Sequence, residues 1–154
     1  MSAGQYRKAT AEDCRQVYEL ICDMENKQLP YARFQAIFEK QLSDPHYCCM
    51  ICKEEDVVVA VLNLRFEEQL HHADRIAEIM EFVVHPKWRN RGLGSEMLEA
   101  AETAAHGCCQ IEVACNQLRK NTHRFYERNG MRNFHYKFSK RLDGEDTGEN
   151  RLGR

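Results

Sequence analysis

Two apolar rhythms alternate along this chain. Phe34, Ile37, Phe38 and Leu42 recur at the three- and four-residue steps of a helix that buries one face, and so do Leu93, Met97, Leu98, Ala101, Ala104 and Ala105. Val57 to Leu64 is instead a β-branched run; with Tyr47 to Lys53 and the charged turn between them it reads as an antiparallel hairpin. Polar Glu67 to Asp74 ends that run, and Ile76 to Val84 is a further strand, stopped by His85-Pro86. Tyr6 to Ala9 is expected to be a short first strand. Thr10-Ala11-Glu12-Asp13 then has the form of a capping box, opening a helix through about Met24. The second helix lies beyond Pro30 and stops at Ser43-Asp44-Pro45. The third ends at Gly107, Ile111 to Cys115 is a short strand, Asn121 to Asn129 is helical up to Gly130, and Met131 to Phe138 supplies one or two closing strands.

The order is strand, two helices, three strands, helix, strand, helix, strand, without an internal repeat. It describes an α/β fold, a mixed sheet with helices on its faces. At 154 residues, 43% hydrophobic and 30% charged, the chain has the size and balance of one globular domain, taken as residues 1–142, with a polar, glycine-bearing tail over 143–154 expected to be disordered. A net charge of -2 with scattered basic residues argues against nucleic acid as a partner. No apolar stretch nears the roughly 20 residues of a membrane helix, and Met1 to Lys8 lacks a signal-peptide core, so the expected location is the cytoplasm. The eight cysteines, including Cys48-Cys49 and Cys108-Cys109, do not supply the two CxxC pairs of a zinc site and read as reduced, mostly core residues, with Cys115 closing a strand.

Chemistry concentrates at Arg89-Asn90-Arg91-Gly92-Leu93-Gly94-Ser95, between a strand and a helix. A helix start presents unpaired N–H groups and the positive end of the helix dipole, and glycines let an anion approach the backbone. Alone, such a loop is as readily a tight turn as an anion site. It also lacks a Walker lysine, and Met97 stands where a dinucleotide fingerprint has glycine.

Glu78 to Val84, Arg89-x-x-Gly92-x-Gly94, the helix and strand that follow, and Phe125-Tyr126-Glu127-Arg128-Asn129-Gly130-Met131 together resemble the GNAT family of N-acetyltransferases, over residues 5 to 142. Leu70-His71-His72, Val17 to Cys22, Glu78 to Val84 and His123 to Tyr126 resemble in particular its aminoalkylphosphonate N-acetyltransferases. The resemblance implies a mostly antiparallel sheet whose central parallel strands splay apart around acetyl-CoA, the cosubstrate. Pantetheine would pair with the backbone of Phe82, Val83 and Val84, with Asn116 a further contact at the end of the second splayed strand. Pyrophosphate would take N–H bonds from Arg89, Asn90, Arg91, Gly92, Leu93, Gly94 and Ser95. Arg119 departs from the asparagine many relatives carry.

The same resemblance assigns the chemistry. Glu78, sixteen residues before Gly94, takes the place of a general base, acting directly or through water. Strand alternation puts Glu81 on the opposite face, and Glu81 becomes the reserve base if a bulge re-aims the side chains. Tyr126 would protonate the departing thiolate, and the N–H of Val83 would hold the oxyanion. His71 and His72 are either an exposed polar turn or part of a phosphonate site, through charge or a divalent metal, although neighbours in extended chain point apart. The expected acceptor is a small-molecule amine, an aminoalkylphosphonate first and a polyamine or aminoglycoside second. An exposed sheet edge makes a homodimer a further expectation.

Overall fold

The computed structural model describes residues 5–144. Strand β1 (Gln5–Lys8) is followed by a 3-10 turn (Ala11–Asp13) that runs into helix α1 (Cys14–Glu25), then by helix α2 (Tyr31–Leu42) and strands β2 (Tyr47–Glu54), β3 (Val57–Gln69) and β4 (Asp74–Val84). A second 3-10 turn (Pro86–Trp88) leads to helix α3 (Leu93–Ala104), strand β5 (Gln110–Val113) and helix α4 (Lys120–Arg128). The strands form one sheet in the order β1-β2-β3-β4-β5, antiparallel throughout except for the parallel pair β4-β5. Of the described residues, 5–114 make one compact unit and 115–144 a second.

Local chemistry explains the opening helix. Asp13 caps the turn, with Thr10 donating its N–H to the carboxylate at 2.8 Å, and Arg7 clasps both oxygens of that carboxylate at 2.7 and 2.9 Å. Lys53 of β2 stands 3.6 Å away, so one buried carboxylate ties β1, α1 and β2 together. Asn26, in the left-handed region at φ 54°, ends α1.

The core of the first unit lies between the helices α1 and α2 and one face of the sheet. Cys14, Val17, Leu20, Ile21 and Phe38 pack on Ile51, Val58, Val61 and Val83. Tyr18 meets Tyr31 and Phe34 edge-on at 5.0 and 5.3 Å. Ile37 departs from the expected stripe and is 49% exposed. Met97, Leu98 and Ala101 of α3 are buried, as are Leu62 and Leu64 on the other face of β3.

Two expectations need correction. Polar Glu67 does not end the third strand: β3 runs to Gln69 and β4 begins at Asp74, because backbone pairing with β4 continues through Glu67↔Ile76 and Gln69↔Asp74 whatever the side chains are. The closing strands over Met131 to Phe138 do not form. Phe134, Tyr136 and Phe138 alternate as strand residues do, yet they are 74%, 81% and 91% exposed and the segment has no ladder partner. Alternation states a capacity for pairing, and only a partner edge realises it. The tail expected over 143–154 lies, from residue 145 on, outside the described residues.

Candidate active site

The register of β4 on β3 decides where its acids point. Asn63 faces Glu81 and Leu64 faces Ile79, so Met80 is an extra residue bulged out of the ladder. Glu78, opposite Arg65, and Glu81, opposite Asn63, therefore share the sheet face that α1 and α2 cover. Simple alternation, which sets the two acids on opposite faces, fails at this one inserted residue.

Their surroundings differ. Glu78 accepts from Arg65 Nη2 at 2.9 Å, and the same guanidinium lies 3.4 Å from Glu67. Among the described residues no cation pairs with Glu81. Asn63, itself buried, donates from Nδ2 to Glu81 Oε2 at 2.9 Å and to Gln41 Oε1 of α2 at 3.0 Å. Burial pushes the Glu81 carboxyl above its ordinary value; the Asn63 bond pulls against this and the charge of Glu25 adds to it. Burial, with Glu81 nearby, also holds the Cys49 thiol neutral, pushed up to about 12.

Beyond Ile79, β4 outruns its parallel neighbour. The pairs run from Ile76↔Gln110 to Ile79↔Val113, where β5 ends, while β4 continues to Val84 along β3. His85 N–H bonds Val59 O at 2.7 Å, which fixes the hydrogen-bonding alternation of this ladder. By that alternation the N–H of Val83 is turned toward β3, whereas those of Phe82 and Val84 point to the side that β5 has left. Arg89 Nε reaches back to Val84 O at 3.2 Å.

The loop after β4 is built as a helix entrance. Lys87 N–H bonds His85 Nδ1 at 3.1 Å, Arg91 lies 4.9 Å over the Trp88 ring, and Asn90 and Gly92 take positive φ of 61° and 81°. Gly92 caps α3, so Leu93, Gly94 and Ser95 form its first turn and direct their N–H groups outward. Tyr6 donates its hydroxyl to Glu96 in that same turn, tying β1 to the start of α3; burial and the Glu96 carboxylate raise the Tyr6 phenol well above its usual range.

In the second unit, Tyr126 on α4 is buried, and its ring meets Phe125 edge-on at 5.3 Å. Burial, then the neighbouring Cys115 thiol, push its phenol up to about 12 against the pull of Arg119. Asn116 is spent on local structure: its Oδ1 accepts from Leu118 N–H at 2.8 Å, and its carbonyl lies 2.7 Å from His123 Nε2.

His71 and His72 occupy a tight turn, not an extended chain, so their rings lie 4.3 Å apart instead of pointing away from each other. His72 Nδ1 bonds Gln69 at 2.7 Å. Among the described residues no group of three or more histidine, cysteine or acidic side chains is placed to hold a metal ion. All eight cysteines are free; Cys14 and Cys52 are buried, Cys109 is exposed and the others lie between.

Sequence reasoning passed over Asn63, Gln41 and Arg65. Asn63 interrupts an otherwise apolar run from Val57 to Leu64, and a lone amide in such a run is a visible signal. Gln41 carries none, since one polar residue near a helix end is ordinary.

A sheet that is antiparallel except for its β4-β5 pair, with the glycine-capped α3 joining those two strands, is a fold of the acetyltransferase class. The chain belongs to the acetyltransferase (GNAT) family, whose pattern matches residues 14–131, and it is an acetyltransferase that uses acetyl-CoA. It is 37% identical over 144 residues to the aminoalkylphosphonate N-acetyltransferase of Salmonella typhimurium, covering 92% of this chain and 94% of that one. Its fold is similar to that of a transcriptional regulator from Bacillus halodurans C-125, with a TM-score of 0.84 at 22% identity over 91% of this chain and 100% of the other. It is similar again to AAC(6')-Iy in complex with a bisubstrate analogue, CoA-S-monomethyl-acetylneamine, with a TM-score of 0.79 at 14% identity, covering 91% and 98%.

Proposed function

We propose that the protein acetylates the primary amine of a small aminoalkylphosphonate by direct attack on acetyl-CoA in a ternary complex, with Glu81 as the general base. The single observation that carries the base is the contrast between two acids on one face. Glu78 is held in an ion pair with Arg65, whereas Glu81 is buried beside a neutral amide and has a raised proton affinity. A base suits neutral pH better as its pKa approaches it. The acceptor class rests on the Salmonella relative.

In this reading Glu81 takes a proton from the amine as the new C–N bond forms. The backbone N–H of Val84, which the register above turns away from β3, holds the oxygen of the tetrahedral intermediate. The C–S bond then breaks, the electron pair stays on sulfur, and Tyr126 gives the sulfur its proton; exchange with solvent returns both groups to their starting states. Pyrophosphate binds the N–H groups of Gly92 to Ser95 with Arg89 and Arg91 adding charge, and pantetheine lies along Phe82 to Val84.

A second acceptor class is favoured by one observation. Along β3 and β4, on the face holding Glu81, the carboxylates Glu67, Glu78 and Glu81 outnumber the guanidinium of Arg65, a balance suited to a polycationic amine. Thiol release from acetyl-CoA, measured with a panel of aminoalkylphosphonates and polyamines, separates the two. The phosphonate reading requires the higher kcat/KM for the phosphonates, and a reversed order replaces it with the polyamine. In the same assay Glu81→Gln should lower kcat about 10²- to 10⁴-fold and remove the acidic limb of the pH profile, while Glu78→Gln should leave that limb in place. The opposite pattern returns the role to Glu78.

A further inference from the structure

A carboxylate that must collect a proton from an approaching amine works best when it is held in one orientation, and the two acids on this face are held differently. Glu78 is held by the charge of Arg65, and Glu81 by an amide. That amide is itself constrained: Asn63 is 92% buried, being 8% exposed, and its two Nδ2 hydrogens are divided between Glu81 Oε2 at 2.9 Å and Gln41 Oε1 at 3.0 Å. An asparagine whose donors both have acceptors cannot turn its amide over without setting its carbonyl oxygen against two others. Gln41 thus fixes which end of Asn63 faces β4, and Asn63 fixes which oxygen of Glu81 is engaged.

We infer that Asn63, locked by Gln41 from the end of α2, is the positioning residue for Glu81: it holds Oε2 and leaves Oε1 to accept the amine proton. This rests on the reading of Glu81 as the base.

The other ionisable groups facing Glu81 are few. From β2 comes the Cys49 thiol, held neutral by burial, and from α1 the Glu25 carboxylate, whose charge opposes ionisation of Glu81. Along β3 and β4 the next groups on that face are Arg65 and Glu78, already joined to each other, and α2 contributes the uncharged Gln41. Asn63 is therefore the main nearby group that favours the charged carboxylate.

The test is the titration of Glu81 itself, followed by carboxyl ¹³C NMR in the full chain, beside the pH dependence of kcat/KM. Asn63→Leu should move both the Glu81 titration and the acidic limb upward by roughly one to two pH units, the worth of a hydrogen bond to a charged group. Gln41→Leu, which spares the direct bond, should move both in the same direction by less, with KM for acetyl-CoA unchanged, and it serves where Asn63→Leu fails to fold. If the Glu81 titration stays in place in both variants, Asn63 is structural only and the inference falls. If instead the titration moves but the limb does not, and Glu81→Gln keeps the limb, the clamp exists and it is the base assignment that fails.

Discussion

Single residues carry the sharpest consequences, because burial turns an ordinary side chain into a costly one. Burial raises the Glu81 carboxyl, so the folded state binds its proton more tightly than the unfolded chain does. Stability is then lost as pH rises through the folded value and is regained below the ordinary carboxylate range. Glu81→Gln should consequently melt at a higher temperature than the parent at pH 8, with the gap closing near pH 4, even as turnover falls. A thermal melt at the two pH values checks this, and an equal or lower melting temperature at pH 8 contradicts it. Tyr126 shows the complementary case. A phenol pushed up to about 12 stays protonated throughout an enzyme assay, so it is always loaded as a proton donor. Tyr126→Phe should reduce kcat about 100-fold with little change in the acidic limb, read from full pH profiles of the two proteins.

At the scale of elements, the carboxylate of Asp13 does for the fold what Asn63 does for the site. Burial pushes it upward, but the Arg7 bonds, the Thr10 N–H and the charges of Arg7 and Lys53 outweigh that and hold it at about 2, against 3.8 for a free side chain. The lowered value means that its contribution is fully present above about pH 4 and is lost as pH falls toward 2. The difference is worth about 2 kcal/mol. Asp13→Asn should remove that amount at pH 7 and flatten the stability profile between pH 4 and 2, as measured by urea unfolding. The Thr10 to Asp13 box was legible in the chain because capping chemistry is local. Helices α2 and α3 were legible for a similar reason, since their apolar positions repeat within a few residues. The bulge at Met80 was foreseen only as a condition attached to Glu81, not read from the chain. Nothing in Ile79-Met80-Glu81 marks an insertion, and only the partner strand reveals that one residue has no opposite number.

Across the whole molecule, the order of elements and the mixed sheet followed from patterns in the chain, whereas the splaying of its parallel strands was implied by the family resemblance, which rested on Glu78 to Val84, the glycine loop and Phe125 to Met131 together. The last expected strand failed because pairing is a property of two segments, and Phe134 to Phe138 supply only one. The surroundings of the neighbouring acids were not legible for the same reason: Glu78 differs from Glu81 through Arg65 and Asn63, both contributed by another strand. The bulge also bears on how such a gene can change. Met80 has no opposite number on β3, so deletion of its codon would close the ladder and keep Glu78 and Glu81 on one face. Deletion of a paired residue farther along β4 would instead turn every residue beyond it to the opposite face. The bulged codon is thus a loss that the register of this strand can absorb.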